Sequence, residues 1–129
     1  MKQYTVKNTV SISGIGLHSG KNVNLKILPS PVDTGIMFKI DDSLVLANYK
    51  NVTSTHRRTT ISNKNIEIHT IEHLMAALYA TNVTNAIIEM DSYEPPILDG
   101  SSKEFMDAIN SIGVIDQKKS LKPITINRK

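Results

Sequence analysis

The chain has no cysteine and no tryptophan, and phenylalanine occurs only twice in its 129 residues. Without thiols neither a disulfide nor a thiolate metal site can form, so a transition metal would need imidazole and carboxylate ligands. The imidazoles available are His18, His56, His69 and His73. With so few aromatics the core must be aliphatic. No apolar run approaches the roughly 18 residues of a membrane span, and no N-terminal stretch has the basic, apolar and small-residue order of a signal peptide. A soluble cytoplasmic protein, with at most peripheral membrane contact, is therefore expected. Charge of one sign is not concentrated either. The net charge of +3 comes from scattered Lys and Arg, densest at Arg57-Arg58 and Lys118-Lys119. A solvated basic surface explains so mild an excess, and no nucleic-acid partner is expected. Internal repeats and low-complexity tracts are also missing.

What is there is close to a globular average, with 40% hydrophobic and 21% charged residues. The length suits one domain with a real core and is too short for two ordinary ones. Two-residue alternation predicts strands at Tyr4 and Val6, at Val10 and Ile12, at Val23, Leu25 and Ile27, and at Ile36, Phe38 and Ile40. Thr59 to Ser62 and Ile66 to Ile68, either side of a polar Asn63-Lys64-Asn65, predict a hairpin. A helix follows, with Thr70 as its N-cap and Ile71, Leu74, Met75 and Leu78 on one apolar face. Residues 85–91 predict another strand, and Pro95-Pro96 through Gly100 an irregular segment. A second helix is expected from Ser101, where Ser101 and Glu104 have capping-box spacing, to Gly113. This order predicts an α+β fold, a two-layer sandwich with a mainly antiparallel sheet and two helices packed on one face. Residues 1–117 form the expected domain. Residues 118–129 are expected to be a linker entering one more strand at Ile124 to Ile126.

On the first helix, an advance of about 100° per residue puts Glu72 near 100° and His73 near 200° from the core line through Ile71. Ala76, Ala77 and Ala80 share the back of the helix with His73. A helix facing only water would more usually carry Lys and Glu there, so another body is expected to dock on this side. A Glu and a His in one helical turn suit a metal site in which His73 binds the cation and Glu72 takes a proton from water. From spacing alone, a carboxylate complementing the helix N-terminus beside an ordinary surface histidine is the favoured explanation of the same pair. His69-Thr70-Ile71-Glu72-His73 also matches the H-x-x-E-H pattern of inverted-zincin peptidases, which requires His69 and His73 one turn apart on one helix. His69 ends an alternating run and precedes the expected cap, which places it off the helix. Gly14-Ile15-Gly16-Leu17-His18-Ser19-Gly20 has Ser19 where a dinucleotide loop needs its third glycine. Asp99, before Gly100, is expected to serve a turn.

Five segments in order carry a resemblance: Gly14 through Gly20, Pro31-Val32-Asp33-Thr34-Gly35-Ile36, Thr59-Thr60, Thr70 through Ala77, and Pro96-Ile97-Leu98-Asp99-Gly100-Ser101. Together they resemble the N-terminal half of the UDP-3-O-acyl-N-acetylglucosamine deacetylases of lipid A synthesis. The resemblance implies two similar α+β domains packed face to face, with a catalytic zinc at their junction. It implies Glu72 as the base that activates water for attack on the acetamide carbonyl, and His73 as one of three zinc ligands. It places Leu17, His18, Arg58, Thr59 and Thr60 toward the UDP-linked acylated glucosamine substrate. The other ligands, a His and an Asp spaced as His-x-x-x-Asp, belong to the second domain of the same enzyme and have no counterpart here. One ligand cannot hold zinc well, so these 129 residues alone are expected to be inactive. A binding module that docks a protein through the alanine-lined helix face is the alternative.

Overall fold

The computed structural model describes residues 1–127. Its centre is a five-stranded sheet. Strands β2 (Val10–Ile15) and β3 (Asn22–Pro29) form a hairpin, and β4 (Ile36–Ile40) and β5 (Ser43–Leu46) form another. Strand β9 (Ala86–Met90), late in the chain, inserts between them to give the order β2-β3-β9-β4-β5. It runs antiparallel to β3 and parallel to β4, so the sheet is mainly antiparallel. Val23, Leu25 and Ile27 of β3, Ala86, Ile88 and Met90 of β9, and Ile36 and Phe38 of β4 all point to one buried face. Asn24 and Lys26 alternate with them toward solvent.

Helices α1 (Glu72–Ala80) and α2 (Lys103–Ile112) contact one another, and their Leu74, Leu78, Phe105 and Ile109 join the sheet residues in one core. Two helices against the buried face of a mainly antiparallel sheet give the α+β sandwich expected from the sequence. Nine residues of α1 are too few for a stable helix in water, so burial of its inner face is what holds it. Gly113 ends α2 in the left-handed region, at φ 93°.

Two small sheets flank this body. Strand β1 (Lys2–Val6) pairs antiparallel with β10 (Val114–Ser120), and β7 (Thr60–Ser62) pairs with both β6 (Val52–Ser54) and β8 (Glu67–Ile68). The hairpin of β7 and β8 is the one the sequence predicts. Strand β10 crosses position 118, where a linker was expected. Its residues are mostly exposed, so no apolar alternation marks it. A bulge interrupts it as well: Lys2 and Tyr4 are two residues apart while their partners Ser120 and Asp116 are four apart, with Lys118 at φ 59°. The strand expected at Ile124 to Ile126 does not form. Residues 121–127 are irregular, and Ile124 and Ile126 are fully presented to solvent. Positions 128 and 129 of the expected linker lie outside the described residues.

Both helices begin later than the cap patterns suggest. Ile71, not Thr70, occupies the N-cap of α1, and its conformation is helical. Ser102 occupies that of α2, although Ser101 Oγ accepts from Lys103 N–H at 3.2 Å and so does part of a cap's work.

Candidate active site

Glu72 and His73 open α1 and are both half-buried. Their setting begins two residues earlier, at Thr70, which has φ 55°. A β-branched residue avoids the left-handed region unless its surroundings hold it there. Here they do. Thr70 is buried, and its hydroxyl donates to Glu94 Oε2 at 2.6 Å. The expected cap is therefore an anchor, bonded away from the helix it precedes.

Glu94 comes from the irregular chain after β9 and is 2% exposed. Its Oε1 accepts from the amides of His18 at 2.8 Å and Ser19 at 3.1 Å. Its Oε2 accepts from Thr70 and lies 2.9 Å from His18 Nδ1. Burial alone would raise its pKa, but the hydrogen bonds from Thr70, His18 and Ser19 outweigh it and lower the value from 4.5 to about 2. The carboxylate is ionised and its lone pairs are filled. Leu17, beside His18, is 56% exposed, so the loop presents one apolar and one imidazole side chain together.

From the other side comes the chain entering β7. Thr59 N–H donates to Glu72 Oε2 at 3.2 Å, and Thr59 C=O lies 3.5 Å from the Ile71 amide. Thr60 Oγ1 and His69 Nδ1 are 3.0 Å apart, and His69 Nε2 lies 3.0 Å from Glu67 Oε1. Burial first, then the Arg58 guanidinium, lower the His69 pKa. A shallow cavity of about 280 Å³ lies here, lined by His18, Ser19, Lys21, Arg58, His69, Ser92, Tyr93 and Glu94. A larger recess of about 570 Å³, around Lys26, Lys39 and Glu89, opens on the solvent side of the sheet and shares no residue with this cluster.

The structure thus gathers the expected residues by two routes. Thr59 ties the Arg58–Thr60 segment to Glu72, and Glu94 ties Leu17-His18 to Thr70. His69 lies outside α1, past the end of β8 and before the left-handed Thr70, so the H-x-x-E-H peptidase geometry is not present. The Asp99 carboxylate accepts from the Ser101 amide and hydroxyl at 2.9 and 2.7 Å, the turn role expected of it.

One expectation about α1 needs correction. Ala77 is fully buried, whereas Ala76, Tyr79 and Ala80 are exposed. The buried arc through Ala77, Leu74, Leu78 and Ile71 is centred about 60° away from Ile71, because α2 packs on that side. Glu72, not His73, therefore lies nearer the middle of the outward face. That face carries Tyr79 at 81% exposure as well as small residues.

Glu94 is the residue that sequence reasoning missed. Its partners lie 76, 75 and 24 positions away, and no periodicity or spacing marks a lone Glu before two prolines. As to metal, the His73 ring makes no hydrogen bond among the described residues, and Ser102 Oγ donates to its backbone carbonyl at 2.8 Å. An unengaged imidazole on a fixed backbone fits one zinc ligand. Among the described residues no three His, Asp or Glu side chains converge as a metal site. Among the described residues, too, no helix is long and apolar enough to cross a membrane.

The sequence also matches known proteins. The family model described as UDP-3-O-acyl N-acetylglycosamine deacetylase matches residues 3–129. Relatives named UDP-3-O-acyl-N-acetylglucosamine deacetylase include one from Cellvibrio japonicus, 42% identical over 121 residues, covering 91% of this chain and 40% of the relative. One from Saccharophagus degradans is 39% identical over 132 residues, covering 99% and 44%. Another from Thermodesulfovibrio yellowstonii is 39% identical over 128 residues, covering 98% and 44%. The chain spans less than half the length of these curated relatives.

Proposed function

Since the chain belongs to the UDP-3-O-acyl N-acetylglycosamine deacetylase family, we propose that it supplies half of the active site of a zinc-dependent deacetylase. The enzyme would remove the N-acetyl group of UDP-3-O-acyl-N-acetylglucosamine in lipid A synthesis, in the cytoplasm. The observation that supports this most is the Thr59 amide on the Glu72 carboxylate, because it orients a base in the family's motif beside a free imidazole.

The chemistry asked of this chain is proton handling at an amide. Glu72 takes a proton from water as the water oxygen bonds to the acetamide carbonyl carbon. The C–N bond then breaks, and the proton passes to the departing nitrogen, leaving a free amine and acetate. Thr59 N–H holds Glu72 Oε2, which leaves Oε1 to meet the water. His73 is one ligand of a zinc ion that, when bound, polarises the carbonyl and the water. Arg58, Thr59, Thr60, Leu17 and His18 border the substrate. Lys21 and Arg58 add positive charge suited to a nucleotide diphosphate. The remaining ligands come from the rest of the family's length, which packs against the face bearing Glu72, Ala76, Tyr79 and Ala80. The same face is what a plain protein-binding module would use, so activity decides between the two readings.

The test joins this chain to the remaining length of a relative and measures acetate release from the UDP sugar. Glu72→Gln should lower kcat by about 10²- to 10⁴-fold. Undiminished hydrolysis in that variant would remove Glu72 from the chemistry.

A further inference from the structure

The polar groups around Glu94 are more completely paired than a structural loop requires. Two backbone amides, one hydroxyl and one imidazole converge on two oxygens that are almost wholly withdrawn from water. No Lys or Arg takes part in these bonds. A buried carboxylate held by dipoles and one histidine is costly unless each bond is well made, which fixes the groups that make them. We infer that Glu94 is the positioning residue of this half-site: its carboxylate holds His18 with the proton on Nδ1 and locks the Leu17-His18 loop to the residue from which α1 departs. The inference rests on the deacetylase reading for its purpose, though not for its geometry.

The direction of the proton follows from the acceptors. Glu94 Oε2 is an anionic acceptor, and Thr70 spends its own hydrogen on it. His18 Nδ1, 2.9 Å from that oxygen and 3.2 Å from Thr70 Oγ1, must therefore be the donor. In the neutral ring Nε2 then carries the lone pair, on a side chain 35% exposed. A ring so fixed accepts a hydrogen bond from a ligand hydroxyl or amide N–H. The sugar hydroxyls and acyl amide of the proposed substrate class are such donors.

The loop shows the same requirement from its other end. A Cβ on Gly16 would come within 2.6 Å of Glu94 Oε1 and closer still to Ser19 Oγ. Only glycine lets the chain approach the carboxylate closely enough for both amides to reach it. Thr70 bears the left-handed φ at the far end of the clamp. The residues that Glu94 ties together thus belong to the loop that borders the substrate in the proposed function and to the residue that leads into α1, and one buried side chain sets the distance between them.

The experiment uses the full chain labelled with ¹⁵N, with ring-nitrogen spectra taken at about pH 8, where histidine is neutral as a rule. His18 should be protonated at Nδ1, and Glu94→Gln should move most of that proton to Nε2. An Nε2 proton in the unsubstituted chain, or the same tautomer in both, overturns the inference. Should Glu94→Gln fail to fold, Thr70→Val and Thr70→Ser take its place. Val removes the hydroxyl donor and should disturb the His18 ring signals, whereas Ser should restore them; equal spectra overturn the inference. In the chain joined to a relative's remaining length, Glu94→Gln should lower kcat/KM about tenfold or more while the protein stays folded. Glu72→Gln runs alongside. If it leaves hydrolysis intact, the deacetylase reading fails and the ring spectra still decide what Glu94 holds. If it abolishes hydrolysis and Glu94→Gln does not lower it, the positioning role is refuted.

Discussion

Acid should undo the Glu94 clamp in a way that a single substitution can isolate. The carboxylate titrates near 2 in the folded chain against 4.5 for an unperturbed group. A folded pKa below the unfolded one stabilises the fold above the unfolded value, and the benefit disappears as pH falls from 4.5 toward 2. The fall from 4.5 to about 2 corresponds to roughly 3 kcal/mol, at about 1.4 kcal/mol per pH unit. Glu94→Gln keeps the shape and removes the charge. Urea unfolding followed by circular dichroism, at a series of pH values, should show the variant less stable by roughly 3 kcal/mol near neutrality. The gap should be flat above about pH 5 and narrow by up to about 1.4 kcal/mol per unit below 4.5. Asp33, Asp91, Asp99 and Asp116 also have lowered pKa values, each chiefly through a hydrogen bond, from Lys119, Asn24, Ser101 and Lys118 respectively. They are present in both proteins and cancel in the difference. A gap that does not change with pH would show that Glu94 is not an ionised acceptor in the folded chain.

Three further substitutions probe the frame around the site. Phe105→Ala empties a fully buried position between α2 and the sheet, and should cost about 3–5 kcal/mol in chemical denaturation. Gly14→Ala would place a Cβ 2.9 Å from Pro96 Cβ, and the clash should lower the unfolding midpoint and move amide signals near Pro96 in a heteronuclear NMR spectrum. His69→Ala removes the partner of Thr60 and Glu67 but no expected metal ligand, so zinc content of the chain joined to a relative's remaining length should be unchanged. Loss of zinc in that variant would revive the peptidase pattern.

The sequence is most legible where one face of an element is buried. Val23, Leu25, Ile27, Ile36 and Phe38 alternate because the helices cover one side of their sheet, and the pattern alone places β3 and β4. It is silent where neither face is covered, as in β10, and where turn chemistry departs from the commonest residues. The hairpin from β4 to β5 turns through Asp41 and Asp42, with Asp41 at φ 50°, and only Val45 of the four-residue β5 is buried, so no apolar alternation marks that strand. Ala77 is buried where the helical wheel of α1 places it outward, because the wheel carries the helix's own sequence and not the position of α2. Glu72 and His73 stand out in the sequence because they adjoin one another in a recognisable run. Glu94 does not, since its partners lie in segments far apart in sequence and its role exists only in three dimensions.

A chain that carries half of a zinc deacetylase site, as proposed, needs the other half for both zinc and catalysis. Zinc content and acetate release, measured on the 129-residue chain and on the same chain joined to the remaining length of a relative, test it most directly. The chain alone should hold no stoichiometric zinc and release no acetate; the joined protein should do both, and His73→Ala should remove both. Stoichiometric zinc and hydrolysis in the chain alone, or zinc retained in full by His73→Ala, would contradict the account.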